Sequence, residues 1–240
     1  MTCPAKEKII VALDTPDSAS ALRLVDDLQD AVSWVKVGLQ LFTAEGPSIV
    51  KALKERRLKV FLDLKFHDIP NTAREAMRSA VGLGADMATI HLSGGGRMVR
   101  AAIEAAAGSS LLVLGVTVLT SFDEAELRGI GVQRTPEEQV TELVALGRQC
   151  DLRGVVCSPR EIAPLRGRFG DALTIVTPGV RPSGSAADDQ QRVMTPAEAV
   201  RAGASHLVIG RPITAAKSPR EAALRIAAEI ASSPPESSED

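Results

Sequence analysis

One pattern constrains this chain more than any other: a short apolar, β-branched run followed by an Ala/Leu/Arg/Glu-rich segment of helical period, repeated eight times. The strand-like runs fall at 8–13, 34–39, 59–65, 87–92, 111–119, 154–158, 173–177 and 206–210. Helical patterns occupy 18–28, 47–56, 72–83, 98–107, 136–149, 160–165, 196–202 and 219–230. Helix-start signals agree, since Thr195-Pro196 and Ser218-Pro219 set a hydroxyl cap before a proline, and Thr135-Pro136-Glu137-Glu138 adds acids to a first turn. Gly84, Gly108 and Gly203 follow helical segments. Continuously apolar strands alternating with helices predict a parallel sheet covered on both faces, and eight such units predict a single α/β domain, a (β/α)8 TIM barrel. The 240 residues suit one barrel, expected over 1–231, with the proline-containing polar stretch 232–240 expected as a disordered tail.

Active sites of such barrels lie on the loops leaving the C-terminal strand ends. There the sequence breaks the rule that strand interiors are apolar: Trp34-Val35-Lys36-Val37-Gly38 and Phe61-Leu62-Asp63-Leu64-Lys65 carry charges inside strands. Period two puts Asp63 and Lys65 on one face, and Val35, Val37, Leu62 and Leu64 facing the outer helices turn Lys36, Asp63 and Lys65 into the barrel. Isolated charges there are costly, so they are expected to pair with one another. Asp14 closes the first strand, and Asp68 follows Lys65 by three residues. A buried ion network that only fixes packing explains one such pair; several charges at adjacent strand exits fit proton-transfer chemistry better.

A second constellation stands at strands seven and eight. Thr177-Pro178-Gly179-Val180-Arg181-Pro182-Ser183-Gly184 opens a long polar loop, and Ile209-Gly210-Arg211-Pro212 ends the last strand. Barrels often hold phosphate at this position; Gly210 permits close backbone approach and Arg211 offers a bidentate fork. The bland reading is a glycine turn beside a surface arginine. Ser93-Gly94-Gly95-Gly96-Arg97 reads as a flexible start to a helix rather than an anion site. His67, His91 and His206 are scattered without metal-ligand spacing, so no metal is expected, and His91 sits where it can line the pocket. Cys3, Cys150 and Cys157 read as reduced thiols without chemistry. GxSxG, Walker and strand-GxGxxG-helix elements do not occur.

Lys and Arg total 28 against 30 Asp and Glu, a formal charge of -2, and aromatics are 2% with no Tyr, which argues against nucleic-acid partners. The longest nearly apolar stretch, 111–119, is roughly half the ~20 residues of a membrane span, and 9–13 is too short for a signal core. A cytoplasmic location without membrane contact is expected.

Val11-Ala12-Leu13-Asp14, Lys36-Val37-Gly38, Phe61-Leu62-Asp63-Leu64-Lys65-Phe66-His67-Asp68-Ile69-Pro70-Asn71-Thr72 and Thr177-Pro178-Gly179-Val180-Arg181-Pro182 resemble the bacterial-type orotidine 5'-phosphate decarboxylases, over about 8–230. The DxKxxDIPNT segment is the most diagnostic piece. The resemblance implies conversion of orotidine 5'-phosphate to uridine 5'-phosphate and CO2 in pyrimidine synthesis, with no metal or organic cofactor, by a homodimer with shared sites. It implies a catalytic tetrad of Lys36, Asp63, Lys65 and Asp68, with Asp68 serving the neighbouring subunit. It also implies ribose contacts from Asp14 and Lys36, a ribose contact from the partner's Thr72, a pyrimidine-edge contact from Thr120, and a phosphate grip from Arg181, Gln190, Gly210 and Arg211. Closure of the 181–192 loop over the phosphate is expected to couple remote binding to the reacting carbon.

Two positions depart from that pattern: Gln40 stands where relatives commonly have an acid, and Asp188 where they have a glycine before Asp189-Gln190. The nearest enzyme alternative is a Mg2+-dependent sugar-phosphate barrel such as 3-hexulose-6-phosphate synthase, which shares the DxKxxD spacing but not the IPNT continuation or the long Arg181 loop. A non-catalytic phosphate-binding barrel is the other alternative, and it has no use for an interior charged tetrad.

Overall fold

A computed structural model describes residues 5–182 and 194–232. Eight parallel strands close in sequence order: β1 (Ile9–Ala12), β2 (Trp34–Gly38), β3 (Lys59–Phe66), β4 (Met87–His91), β5 (Leu112–Val116), β6 (Gly154–Val156), β7 (Thr174–Pro178) and β8 (His206–Ile209). Closure comes from β1 on β8, with Ile9 opposite Leu207 and Val11 opposite Ile209. The surrounding helices are α1 (Ser18–Leu28), α2 (Leu39–Glu45), α3 (Ser48–Glu55), α4 (Pro70–Gly82), α5 (Gly95–Ala106), α6 (Glu124–Gly129), α7 (Pro136–Arg148), α8 (Ile162–Phe169), α9 (Pro196–Arg201), α10 (Arg211–Thr214) and α11 (Pro219–Ala231). The barrel is the one the alternation predicts. Among the described residues, no helix is long and apolar enough to cross a membrane.

Strand parity divides the core in two. Outward-facing residues such as Val11, Val35, Val37, Leu62 and Ile90 pack against the helices, while Ile10, Ala12, Trp34, Phe61, Met87, Leu114, Val176 and Val208 fill the barrel. That inner plug leaves only the strand ends for chemistry.

The helix starts follow their caps. Thr135 and Thr195 accept the backbone N–H of Glu138 (3.3 Å) and Glu198 (3.2 Å), and both glutamates return the bond in capping boxes. Gly84, Gly108 and Gly203 follow helices at φ +74°, +78° and +108°.

Several boundaries differ from the expectation. The fifth strand stops at Val116 instead of continuing to 119, because its neighbour β6 ends at Val156; beyond it the Thr117 hydroxyl caps the Val156 carbonyl at 3.0 Å. The helix expected from Thr72 starts two residues earlier, at Pro70, whose fixed φ suits a first turn. The glycine run after β4 is a 3-10 turn at Leu92–Gly94 leading directly into α5. The helices α2, α6 and α10 are short segments that the periodicity does not reveal. Ser232 caps α11 through a backbone bond to Ala228 (2.9 Å), so the expected tail's first residue belongs to the helix end; 233–240 lie outside the described residues.

Candidate active site

The charges set into β2 and β3 meet at the C-terminal mouth. Lys36, its side chain 11% exposed, places Nζ 3.0 Å from Asp14 Oδ1 and 3.9 Å from Asp63 Oδ2. Lys65 Nζ donates to both oxygens of Asp63 at 2.9 Å. An alternating chain Asp14, Lys36, Asp63, Lys65 results, in which each interior charge has an opposite neighbour, as burial requires. It borders a cavity of about 220 Å³ whose other wall is apolar, from Val116, Val118, Leu119 and Val156, with Thr120 at the edge and Phe61 and Val208 below.

The backbone departs from a regular strand at this point. Leu62 pairs with Ala88 and Phe66 with Ile90, so four steps along β3 oppose two along β4. Lys65 takes up the excess at φ +53°, a left-handed conformation costly for a side chain with a Cβ. Its orphaned N–H donates to the hydroxyl of Thr89 (2.9 Å), which in turn donates to Asp63 Oδ1 (3.0 Å). Thr89 is fully buried on the inward face of β4.

Gly38 matters for space. A Cβ there would lie 2.8 Å from Lys36 Nζ and 3.3 Å from Asp14 Oδ1, inside the first link of the charge chain. The sequence contained Gly38 within a motif without showing this role, and Thr89 carried no signal beyond a hydroxyl in an apolar strand.

His91, at the end of β4, lies with its ring 5.3 Å from that of His67. Burial, then electrostatic repulsion from the neighbouring His67 and Lys65, pushes its pKa down, which favours the neutral ring beside Lys65. Cys157 borders the cavity, but burial and the nearby Glu161 carboxylate push its thiol pKa up, away from nucleophilic thiolate. The described cysteines Cys150 and Cys157 are both free and buried.

The remaining expected site residues divide by location. Asp68 is exposed on the loop after β3, accepts the N–H of Ile69 at 2.6 Å, and makes no ion pair with Lys36 or Lys65 of its own chain. Thr72 is exposed in the first turn of α4 and is not part of the cavity wall. Arg181 and Arg211 each stand three residues beyond the paired positions Pro178 and Val208, on adjacent strands. The Arg181 N–H donates to the Met194 carbonyl at 3.2 Å, joining the two described flanks of the 183–193 segment. Gly210 caps α10 and Arg211 begins it; a Cβ at Gly210 would meet only Ala12 at 3.8 Å, so no protein neighbour demands glycine there. Gln190 and Asp188 lie outside the described residues.

Fold and site together define a (β/α)8 barrel whose mouth pairs an alternating acid–base chain with an apolar wall and two arginines at the last strand ends. The chain belongs to the orotidine 5'-phosphate decarboxylase / HUMPS family, which matches residues 7–226. It is similar to the orotidine 5'-phosphate decarboxylase of Moorella thermoacetica, 55% identical over 234 residues covering 94% of this chain and 93% of the relative. That of Halorhodospira halophila is 51% identical, covering 96% and 99%. Among solved structures, orotidine 5'-phosphate decarboxylase from Lactobacillus acidophilus superposes with a TM-score of 0.83 at 34% identity, covering 93% of this chain and 99% of that one.

Proposed function

We propose that this chain decarboxylates orotidine 5'-phosphate to uridine 5'-phosphate and CO2 in pyrimidine synthesis. The observation that carries the proposal is Lys65 Nζ held on both oxygens of Asp63 at the edge of a cavity whose facing wall is apolar. Breaking the bond from C6 to the carboxylate leaves an electron pair at C6. An ammonium fixed beside that carbon stabilises the developing charge and then supplies the proton, so the step needs no electron sink from a cofactor. Asp63 orients Lys65 and lies near the departing carboxylate, and Lys36 balances Asp63 from the other side.

One charged hydrogen bond contributes ~1.5 to 3 kcal/mol, whereas enzymes lower barriers by ~8 to 23 kcal/mol, so remote binding has to contribute. Arg181, Gln190, Gly210 and Arg211 are assigned to the phosphate, Asp14 and Lys36 to the ribose, and Thr120 to the pyrimidine edge. The exposed placement of Asp68 and Thr72 fits residues that reach a partner's site, so the working form is a homodimer with shared sites, acting in the cytoplasm. The expected closure of the 181–192 loop falls on residues that, from 183 on, lie outside the described ones.

The test follows loss of orotidine 5'-phosphate absorbance and appearance of uridine 5'-phosphate in the presence of EDTA. Undiminished turnover is expected. Activity abolished by EDTA and restored by Mg2+ overturns the cofactor-free reading in favour of the sugar-phosphate branch of the barrel.

A further inference from the structure

Thr89 is the hinge of a closed hydrogen-bond circuit. A hydroxyl has one proton and two lone pairs. The Lys65 N–H can only donate, so it occupies a lone pair of Oγ1 at 2.9 Å, and the hydroxyl proton is left for Asp63 Oδ1 at 3.0 Å. The same Oδ1 accepts from Lys65 Nζ at 2.9 Å, which returns the circuit to the residue where it began. One small side chain thus ties the backbone of Lys65 to the carboxylate that aims its ammonium.

The circuit exists because of the bulge. The extra residues of β3 between Leu62 and Phe66 leave the Lys65 amide without a ladder partner, at φ +53°. An N–H shielded from water and left unpaired is costly, so an apolar residue at 89 leaves the strained conformation unsupported. Thr89 has no exposed surface and a branched Cβ that restricts χ1, so its hydroxyl is aimed without being free to search.

We propose that Thr89 is a positioning residue for the reaction: its hydroxyl fixes the bulged Lys65 backbone and the Asp63 carboxylate in one geometry and so sets where the Lys65 ammonium stands. The assignment rests on the decarboxylase reading. Thr89 does not line the cavity, so its loss acts on the chemical step more than on substrate binding.

The test compares Thr89→Val, which keeps the shape and removes the hydroxyl, with Thr89→Ser, which keeps the hydroxyl. Thr89→Val is expected to lower kcat by about 100-fold with KM within about threefold, the scale of a displaced catalytic group. Thr89→Ser is expected to restore kcat to within about threefold of wild type, because both hydrogen bonds survive. In parallel, hydrogen exchange at the Lys65 amide should be slow in wild type and Thr89→Ser and fast in Thr89→Val. A folded Thr89→Val enzyme with wild-type kcat overturns the proposal, as does a Thr89→Ser enzyme no better than Thr89→Val. Should Thr89→Val fail to fold, Thr89→Cys keeps a similar volume with only a weak donor and acceptor, and carries the same expectation. A wild-type chain inactive on orotidine 5'-phosphate overturns the decarboxylase reading instead, and the hydroxyl circuit is then judged by amide exchange alone.

Discussion

Strand β3 carries a lysine near each end, and the two have opposite fates. Lys59, on the floor of the barrel, sits in an unbroken ladder opposite Trp34, its Nζ 3.1 Å from Glu7 Oε2 and 5.2 Å over the Trp34 ring. Around it the valences close: Ser33 donates to Glu7 Oε1 at 2.5 Å, and His206 Nδ1 meets the Glu7 carbonyl at 3.1 Å. Lys65, at the mouth, sits in a bulge at positive φ beside a cavity, paired to a carboxylate that is 15% exposed. Both ends collect charge and histidine, so charge clustering alone does not mark a site. Backbone strain and an open cavity beside the charges do, and both are present at Lys65.

The largest expected effect comes from removing each lysine in turn. Lys65→Ala should lower turnover by about 1,000-fold or more, as loss of a proton donor does, while binding of uridine 5'-phosphate stays measurable by calorimetry. Lys59→Ala should leave kcat within about twofold, since a half-exposed pair contributes little. Equal losses from the two would erase the contrast. Mixing Lys65→Ala with Asp68→Ala chains sharpens it further. If Asp68 serves the partner, about half the reassorted dimers are hybrids with one intact site, and roughly a quarter of wild-type activity returns. Demonstrated subunit exchange without recovered activity assigns both residues to one chain's site.

Next in size is Arg211→Ala. Loss of a bidentate phosphate contact should lower kcat/KM by about 2 to 3 kcal/mol in transition-state terms, and have little effect on orotidine, which lacks the phosphate. The same loss with both substrates would remove Arg211 from the phosphate grip.

A smaller effect is expected from Gly38→Ala. At φ -96° the backbone accepts alanine, so expression and Tm should hold, but the new Cβ displaces Lys36 Nζ from its place beside Asp14. A fall in kcat/KM of about tenfold is expected, less than for a full 1 Å misplacement. An unchanged value would show that Lys36 relocates without cost.

The smallest effect on activity, and a visible one on stability, belongs to the floor. Burial lowers the His206 pKa from 6.5 to about 4. On acidification the unfolded chain therefore takes the proton first, so this contribution is complete above pH 6.5 and is lost as the pH falls toward 4. It amounts to at most about 3 kcal/mol. Glu7, held low chiefly by the Ser33 hydroxyl, weakens the fold in the same direction on acidification, so a His206→Gln variant isolates the histidine part. Denaturant unfolding at pH 7 and pH 4.5 should show a smaller pH difference in His206→Gln than in wild type, with kcat at pH 7 the same. Equal differences would place the acid sensitivity elsewhere.

Much of this molecule follows from local rules. Eight apolar runs with helical segments between them leave few ways to bury every strand on both faces, and a closed barrel is the one adopted. Period-two alternation then decides that Lys36, Asp63 and Lys65 face inward, and interior charges must pair, so the core of the site was legible before any coordinates. Only the tertiary structure decided the rest. The bulge at Lys65 depends on how many residues of β3 oppose β4, a register between strands that neither strand specifies alone. The role of Thr89 follows from that register, because its hydroxyl takes the amide the ladder abandons. The space that Gly38 leaves is taken by the Lys36 ammonium folding back over it, and β5 ends where β6 stops pairing. A sequence sets what each side chain can do and which way a strand turns it. Which partner stands within 3 Å is settled by segments far apart in the chain, because hydrogen bonds and steric limits act over distances shorter than the sequence pattern resolves.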